Sequence, residues 1–361
     1  MSRPDTLCKY GVEKGIKMND DPLASRLVGK TIGRWTVTEK RKKAEDDNSG
    51  FWSTCYTVTD ETGQVAFLKA YNYIYAFGTS ASADILKVMT ENFTYERDLL
   101  QFCCEEKMSR VVTAIDSGEY REENEILPVP YLVFEIAQGS LKTHRAMSNP
   151  DLAWKLKAFH GALVGLSQLH SRKIAHQDIK PSNILIFGKA FSKLSDLGSA
   201  TQLNNESRHW TAPEHCGDLR YAPVELLYKY FSPDWNTRRF GADLFMLGGI
   251  LTFMVTGSNL LSLLHVRLPE SQKHHNFGGT FEQATPFLLK AYAETLDEIR
   301  PVILTSIRDE LIQIIAELCH PIPEQRGSPQ RLGSVRPRYS LERYISVVDR
   351  LSKKVAWGQN D

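Results

Sequence analysis

The sequence predicts an α+β chain, on three observations. Apolar residues alternate with polar ones at Trp35 and Val37, at Cys55 and Val58, and at Val65 and Phe67, with Glu61-Thr62-Gly63 as a tight turn; this is the pattern of half-buried strands joined by a hairpin. From Leu152 the spacing changes to three and four residues (Leu156, Phe159, Leu163, Leu166, Leu169), the stripe of an amphipathic helix. Next, Ile174 to Gly198 sets three hard-oxygen side chains, Asp178, Asn183 and Asp196, into two polar turns separated by apolar strand-like runs. Strands followed by helices define the class.

The 361 residues exceed one average domain and suit a two-lobed unit of about 250 to 300 residues with extensions. A hydrophobic fraction of 42% and a charged fraction of 24% are those of an ordinary folded protein, which excludes disorder as the dominant state. Lys plus Arg is 44 against 43 for Asp plus Glu, so no global field favours nucleic acid or an anionic membrane. Cys8, Cys55, Cys103, Cys104, Cys216 and Cys319 form no CxxC pair and no zinc spacing, and are expected to be reduced thiols of a cytoplasmic protein. The N-terminus lacks the pattern of a signal peptide, and the most apolar window, Leu244 to Val255, is shorter than the about 20 residues that span a bilayer, so a buried helix is expected there.

In chain order, residues 1–28 are polar and mixed and read as an N-terminal extension. The hairpin strands follow, then a third strand, Val65-Ala66-Phe67-Leu68-Lys69. A helix-like stretch from Asp84 to Gln101 places Leu86, Val88, Met89, Phe93, Leu99 and Leu100 around Glu96, with Glu91 as a competing acid. Tyr131 to Ala137 is a continuous apolar strand ending near Glu135, followed by a Gly139-Ser140-Leu141 turn into the amphipathic helix. Phe240 to Gly248 is an apolar helix bearing one acid, Asp243, which burial would make costly unless it is hydrogen-bonded. His274 and His275 are expected at the surface, and a last amphipathic helix runs from Leu341 to Val355.

HQDIKPSN (residues 176–183) and DLG (196–198) resemble the catalytic-loop and metal-loop motifs of eukaryotic-like Ser/Thr protein kinases, H-R-D-x-x-x-x-N and D-F-G. The resemblance covers residues 29–330 and implies a bilobal fold: a small antiparallel β lobe with one helix (29–136), a larger mainly α-helical lobe (137–330), and a C-terminal helical extension (331–361). It implies that Asp178 accepts the substrate hydroxyl proton, that Lys180 steadies the transferring phosphoryl group, and that Asn183 and Asp196 hold Mg²⁺ or Mn²⁺, which suits oxygen donors plus phosphates. Lys69 would pair with the ATP phosphates and be oriented by Glu96. Gly50, Ser53, Cys55, Glu135, Ala137 and Leu185 would surround the nucleotide, with Tyr131 to Ala137 as the inter-lobe hinge and Phe134 guarding its back pocket. Glu225 and Arg326 would form a buried ion pair, and Asp243 would anchor the catalytic-loop backbone.

The sequence departs from the family pattern at four places. Asn48-Ser49-Gly50-Phe51-Trp52-Ser53 stands where a G-x-G-x-x-G loop belongs, keeping one glycine. Phe67 takes the place of an alanine over the adenine ring; either a bulge lets Ala66 serve instead or the base has an unusual roof. Gln177 replaces an arginine that binds an activation-segment phosphate, so activation-segment phosphorylation is expected to be dispensable. Asp218 replaces a threonine, and either pairs with Lys180 or repels Asp178.

The implied activity is transfer of the ATP γ-phosphoryl group to Ser/Thr hydroxyls of proteins, the chain's own included. The rival readings are a nucleotide-binding pseudokinase scaffold, favoured by Phe67 and the poor glycine loop, and a small-molecule kinase, disfavoured by the Glu225 and Arg326 pair.

Overall fold

Strand alternation and turn chemistry build the first part of the molecule. The computed structural model describes residues 22–41, 53–76, 82–123, 125, 127–148, 150–203, 217–329 and 337–358. They divide into two units, one drawn from residues up to Lys107 plus Val112–Ile136, the other from Met108–Val111 plus Ala137 onward. The α+β class is observed: a curled antiparallel sheet in unit 1 and a helical unit 2.

Unit 1 contains β1 (Thr31–Ile32), β2 (Trp35–Lys40), β3 (Ser53–Asp60), β4 (Val65–Tyr71), α1 (Ser82–Glu105), β5 (Ala114–Tyr120) and β6 (Val129–Glu135). The sheet order is β1-β2-β3-β4-β6-β5, all antiparallel. The β3–β4 turn is closed by Asp60, whose Oδ1 accepts from the amides of Thr62 and Gln64, while Gly63 takes φ 84°, a conformation that favours glycine.

Period-2 alternation then sorts the side chains. Trp35, Val37, Tyr56, Val58, Ala66, Leu68, Ala70, Tyr131 and Val133 form one buried core. Leu23, Ala24 and Leu27 cap that core, and the Tyr56 hydroxyl donates to the Ala24 carbonyl at 2.8 Å. These three residues lie within the stretch read as an N-terminal extension, and the sheet gives their apolar side chains a face to cover. The opposite face carries Lys69 and Tyr71 and receives α1: the Tyr71 and Phe93 rings meet edge-on at 5.0 Å.

Unit 2 contains β7 (Gly139–Ser140), α2 (Leu141–Ser148), α3 (Leu152–Ser171), β8 (Ile174–Ala175), β9 (Ile184–Phe187), β10 (Phe191–Leu194), β11 (Thr201–Gln202), α4 (Val224–Leu227), α5 (Trp235–Thr256), α6 (Leu260–Arg267), α7 (Phe281–Ile299), α8 (Arg308–Leu318) and α9 (Glu342–Gly358). Helix α3 starts at an Asp151 cap that accepts from the Trp154 amide. It packs against α9, which presents Tyr344, Val348, Leu351 and Val355 at helical spacing.

Helix α5 is capped by Asp234 and stopped by Gly257 at φ 90°. Its 22 residues extend beyond the apolar window read from the sequence; by length and composition it could cross a membrane, yet 83% of its most apolar window is buried within the protein. That burial is the state of a core helix. Glu225 and Arg326 form the expected ion pair, bidentate at 2.9 and 2.8 Å.

His274 is half-buried and His275 exposed; their ring centroids lie 5.7 and 5.5 Å from that of His265 and 5.2 Å from each other. Among the described residues no group of three His, Cys, Asp or Glu side chains is arranged to hold a metal ion.

Candidate active site

In unit 1, Lys69 and Glu96 meet. Lys69 Nζ donates to Glu96 Oε1 at 2.9 Å and to Oε2 at 3.2 Å. The competing acid, Glu91, is exposed and lies 4.0 Å from Lys87 on its own helix. Strand geometry adds a third member: Tyr71, two residues beyond Lys69 and hence on the same face, donates its hydroxyl to Glu96 Oε2 at 2.6 Å. Burial, and next the Glu96 charge, push the Tyr71 phenol well above its ordinary pKa, so it stays a donor.

Register resolves the choice at Phe67. The β3–β4 and β4–β6 ladders run without a bulge through this region, so Phe67 shares the face of Lys69, while Ala66 points into the core with no exposed surface. The Phe67 ring lies tilted against Phe134 at 6.3 Å. Cys55 sits opposite Lys69 and Ser53 opposite Tyr71, Ser53 being buried; Glu135 ends β6, half-buried, opposite Ala66. Gly50 lies outside the described residues.

In unit 2 the catalytic-loop candidates converge. Asp178, 7% exposed, accepts at Oδ2 from Lys180 Nζ (2.9 Å) and Asn183 Nδ2 (3.1 Å), and at Oδ1 from the Asp218 amide (2.8 Å). Two of its neighbours hold left-handed backbone, Gln177 at φ 62° and Asp196 at φ 66°. Such non-glycine conformations cost about 1–3 kcal/mol each and persist only where the surroundings over-determine them.

Asp243 supplies that constraint at Gln177. Its fully buried carboxylate accepts from His170 Nε2 (2.9 Å), the His176 amide (2.8 Å), the Gln177 amide (2.8 Å) and Gln177 Nε2 (3.0 Å). Gln177 Oε1 accepts from Arg239 Nη1 at 3.1 Å, so the residue standing in the arginine position is itself buried against an arginine.

Asn183 and Asp196 are brought together by the β9–β10 hairpin, where Ile184 pairs with Leu194 and the Ser195 amide donates to the Asn183 carbonyl at 2.9 Å. Asn183 spends its Nδ2 on the Asp178 carbonyl and carboxylate, while its Oδ1, which accepts from Ser182 Oγ at 3.5 Å, keeps a second lone pair as an oxygen donor. An amide oxygen beside one carboxylate suits Mg²⁺, which takes few protein ligands and completes its shell with phosphates and water. His176 ties the two turns: its Nδ1 accepts from the Asp178 amide at 3.3 Å and its Nε2 faces the Ser195 carbonyl at 3.1 Å. Leu185, half-exposed on β9, and Ala137 at the start of the unit complete the predicted residues.

The electrostatics follow from burial and pairing. Burial pushes the Asp178 carboxyl up; Lys180 opposes this and Asp196 adds to it. Burial works against the Lys180 ammonium, but the carboxylates of Asp178, Asp196 and Asp218 outweigh it and its pKa is raised. Asp218 pairs with Arg220: burial raises its pKa, and hydrogen bonds from the Arg220 side chain and amide bring it below the usual range.

Tyr71, Gly217, Arg220 and Arg239 join the site without belonging to the motifs visible in the sequence. Period-2 spacing from Lys69 could have found Tyr71. Gly217 acts through backbone contact and Arg239 through long-range packing, while Arg220 lies two residues from the Asp218 carboxylate that it pairs with.

An antiparallel-sheet unit bearing a Lys–Glu pair and a helical unit bearing an Asp-Lys-Asn loop define a phosphotransferase-type architecture. Residues 61–335 match the sequence model of the protein kinase domain, and the chain belongs to that family. It is 33% identical over 133 residues to the serine/threonine-protein kinase grp of Drosophila melanogaster, covering 36% of this chain and 24% of the relative. It is 30% identical over 131 residues to the interferon-induced, double-stranded RNA-activated protein kinase of Mus musculus, covering 36% and 22%. It is 32% identical over 141 residues to the mitogen-activated protein kinase sma-5 of Caenorhabditis elegans, covering 36% and 26%. The matches span about a quarter of the length of these relatives.

Proposed function

We propose that this chain transfers the γ-phosphoryl group of ATP to serine and threonine hydroxyls of protein substrates, its own included, with Mg²⁺ or Mn²⁺ as cofactor. The observation that carries the reading is the Asp178 carboxylate, held on Oδ2 by Lys180 at 2.9 Å and Asn183 at 3.1 Å. Asp178 takes the role of base, Lys180 neutralises charge on the transferring group, and Lys69, oriented by Glu96 and Tyr71, grips the nucleotide phosphates. Asn183 and Asp196 would hold the metal ion, which supplies charge neutralisation at the phosphates. Serine and threonine are favoured over tyrosine by Lys180, and by relatives that are serine/threonine-protein kinases by name.

In the reaction the substrate hydroxyl oxygen bonds to the γ-phosphorus, the bond to the bridging oxygen breaks, and ADP leaves with that electron pair. The hydroxyl proton passes to Asp178. Positioning and electrostatics supply most of such catalysis.

A second reading, nucleotide binding without transfer, is favoured by one observation: Phe67 stands on the face of Lys69, where the resemblance expects a small alanine over the base. Transfer of labelled phosphate from ATP to a mixed protein substrate separates the two. The wild type is expected to label protein and Asp178→Asn to lose labelling; equal labelling by both would refute the enzyme reading, and a wild type that binds ATP without transfer would establish the second.

A further inference from the structure

The three donors on Asp178 are unevenly shared between its two oxygens. Among the described residues, Oδ2 accepts two hydrogen bonds, from Lys180 Nζ and Asn183 Nδ2, and Oδ1 accepts one, from the Asp218 amide at 2.8 Å. An ionised carboxylate offers about four lone-pair sites. Three are engaged by these contacts, and the fourth belongs to Oδ1.

The Asp218 amide reaches Oδ1 because the chain lies directly on the carboxylate. At Gly217 an added Cβ would stand 2.2 Å from Asp178 Oδ1, 2.3 Å from Cγ and 2.4 Å from Cβ, so only glycine fits. The Gly217 amide donates to the Gln177 carbonyl at 2.9 Å, making a two-rung contact of residues 217 and 218 with residues 177 and 178.

The rung at Asp218 is braced from behind. The Asp218 carboxylate, its side chain 6% exposed, accepts from Arg220 Nε at 2.9 and 3.2 Å, from Nη2 at 2.6 Å and from the Arg220 amide at 3.1 Å. The Arg220 carbonyl in turn accepts at 3.0 Å from Asn259 Nδ2, the side chain that caps α6. The Arg220 side chain is 55% exposed, and an ion pair with one partner so exposed contributes little to global stability. What the pair does fix is the direction of one N–H bond.

We propose that Gly217, Asp218 and Arg220 form a latch on the base: the Asp218–Arg220 pair holds the Asp218 N–H on Asp178 Oδ1 and so reserves the remaining lone pair of Oδ1 for the substrate proton. Asp218 and Arg220 are positioning residues, and Oδ1 is the atom that takes the proton while Oδ2 stays bound to Lys180 and Asn183. The proposal rests on Asp178 being the base of the proposed reaction.

The test compares wild type, Arg220→Ala, Gly217→Ala, Asp218→Ala and Asp218→Asn as full chains. Three quantities are measured: hydrogen exchange of the residue-218 amide by NMR without ligands, ATP dissociation constants by calorimetry, and steady-state kinetics. The amide is expected to be protected in the wild type and to lose protection in Arg220→Ala and Gly217→Ala. In both, kcat should fall by about tenfold to a hundredfold, the scale of a misplaced reacting group, while the ATP dissociation constant stays within about twofold. Asp218→Asn, which keeps the amide and an acceptor for Arg220, should recover what Asp218→Ala loses.

An unprotected amide in the wild type, or protection lost with kcat intact, would overturn the latch. A wild type with a protected amide and no phosphoryl transfer would instead refute the kinase reading and the catalytic purpose of the latch with it, leaving the contact itself demonstrated.

Discussion

Removing Glu225 is expected to destabilise unit 2 by about 3–5 kcal/mol, the cost of stripping a buried charge of its partner. The Arg326 side chain has no exposed surface and that of Glu225 is 5% exposed. Arg326 donates to both Glu225 oxygens, at 2.9 and 2.8 Å, to the Gly241 carbonyl at 2.9 Å and to the His320 carbonyl at 3.0 Å. In Glu225→Ala the two carbonyls remain, but no anion opposes the guanidinium where water cannot reach it. An exposed pair of the same geometry would contribute only about 0–1 kcal/mol, so the magnitude distinguishes the two situations. At about 2–4 °C per kcal/mol for a domain of this size, the midpoint should fall by roughly 6 to 20 °C. Urea unfolding followed by circular dichroism measures the loss, and the double variant Glu225→Met with Arg326→Met should be more stable than Glu225→Ala, because neither charge is left buried alone. A Glu225→Ala protein within about 1 kcal/mol of wild type would show that the guanidinium is solvated and would refute the reasoning.

Tyr71→Phe deletes the 2.6 Å hydrogen bond to Glu96 Oε2; a bond to a charged group is worth about 1.5–3 kcal/mol, and a loss of this size in chemical denaturation, with weaker ATP binding by calorimetry, is expected. Phosphatase-treated protein should keep its activity, since Gln177 is engaged by Arg239 and Asp243 without any phosphate; treatment that abolishes catalysis with folding intact would contradict this. Acid should weaken the fold through the histidine cluster. Burial, then Lys273, lower the His265 pKa, and burial, then His265 and His275, lower that of His274, while Glu270 partly offsets the effect at His265. Depressed histidines leave stability untouched above the unfolded value of about 6.5 and cost stability as pH falls below it, because the unfolded chain then takes up protons that the native state refuses. Melting temperatures between pH 7.5 and 5.5 should therefore fall less in His274→Asn than in wild type.

Much of this molecule is legible in its sequence, for a reason that differs between the units. The β face bearing Lys69 and the core face bearing Ala66 follow from alternation; Asn183 and Asp196 are joined by a short hairpin, and Asp178, five residues before Asn183, is hydrogen-bonded by the Asn183 side chain. Contacts set by local geometry can be read locally. Leu23, Ala24 and Leu27 were not legible as core, since three apolar residues after a polar run have no periodicity to declare them; the sheet face that they cover is assembled from strands up to Val133.

The departures at Gln177 and Asp218 show where local reading stops. Each was visible as a substitution, and for each the sequence offered a partner by analogy: a missing phosphate for Gln177, and Lys180 or Asp178 for the Asp218 side chain. In the structure the Gln177 side chain turns to Arg239 and Asp243, the Asp218 side chain turns to Arg220, and it is the Asp218 backbone that meets Asp178. A backbone N–H is present at nearly every position, so no residue type announces its use; the announcement lies in Gly217, whose missing Cβ is what lets the chain descend on the carboxylate. A neutral side chain and a backbone amide thus occupy the places where the family pattern uses an arginine and a hydroxyl. Both replacements hold the loop by short-range hydrogen bonds to Arg239, Asp243 and Asp178, none of which involves a phosphate group.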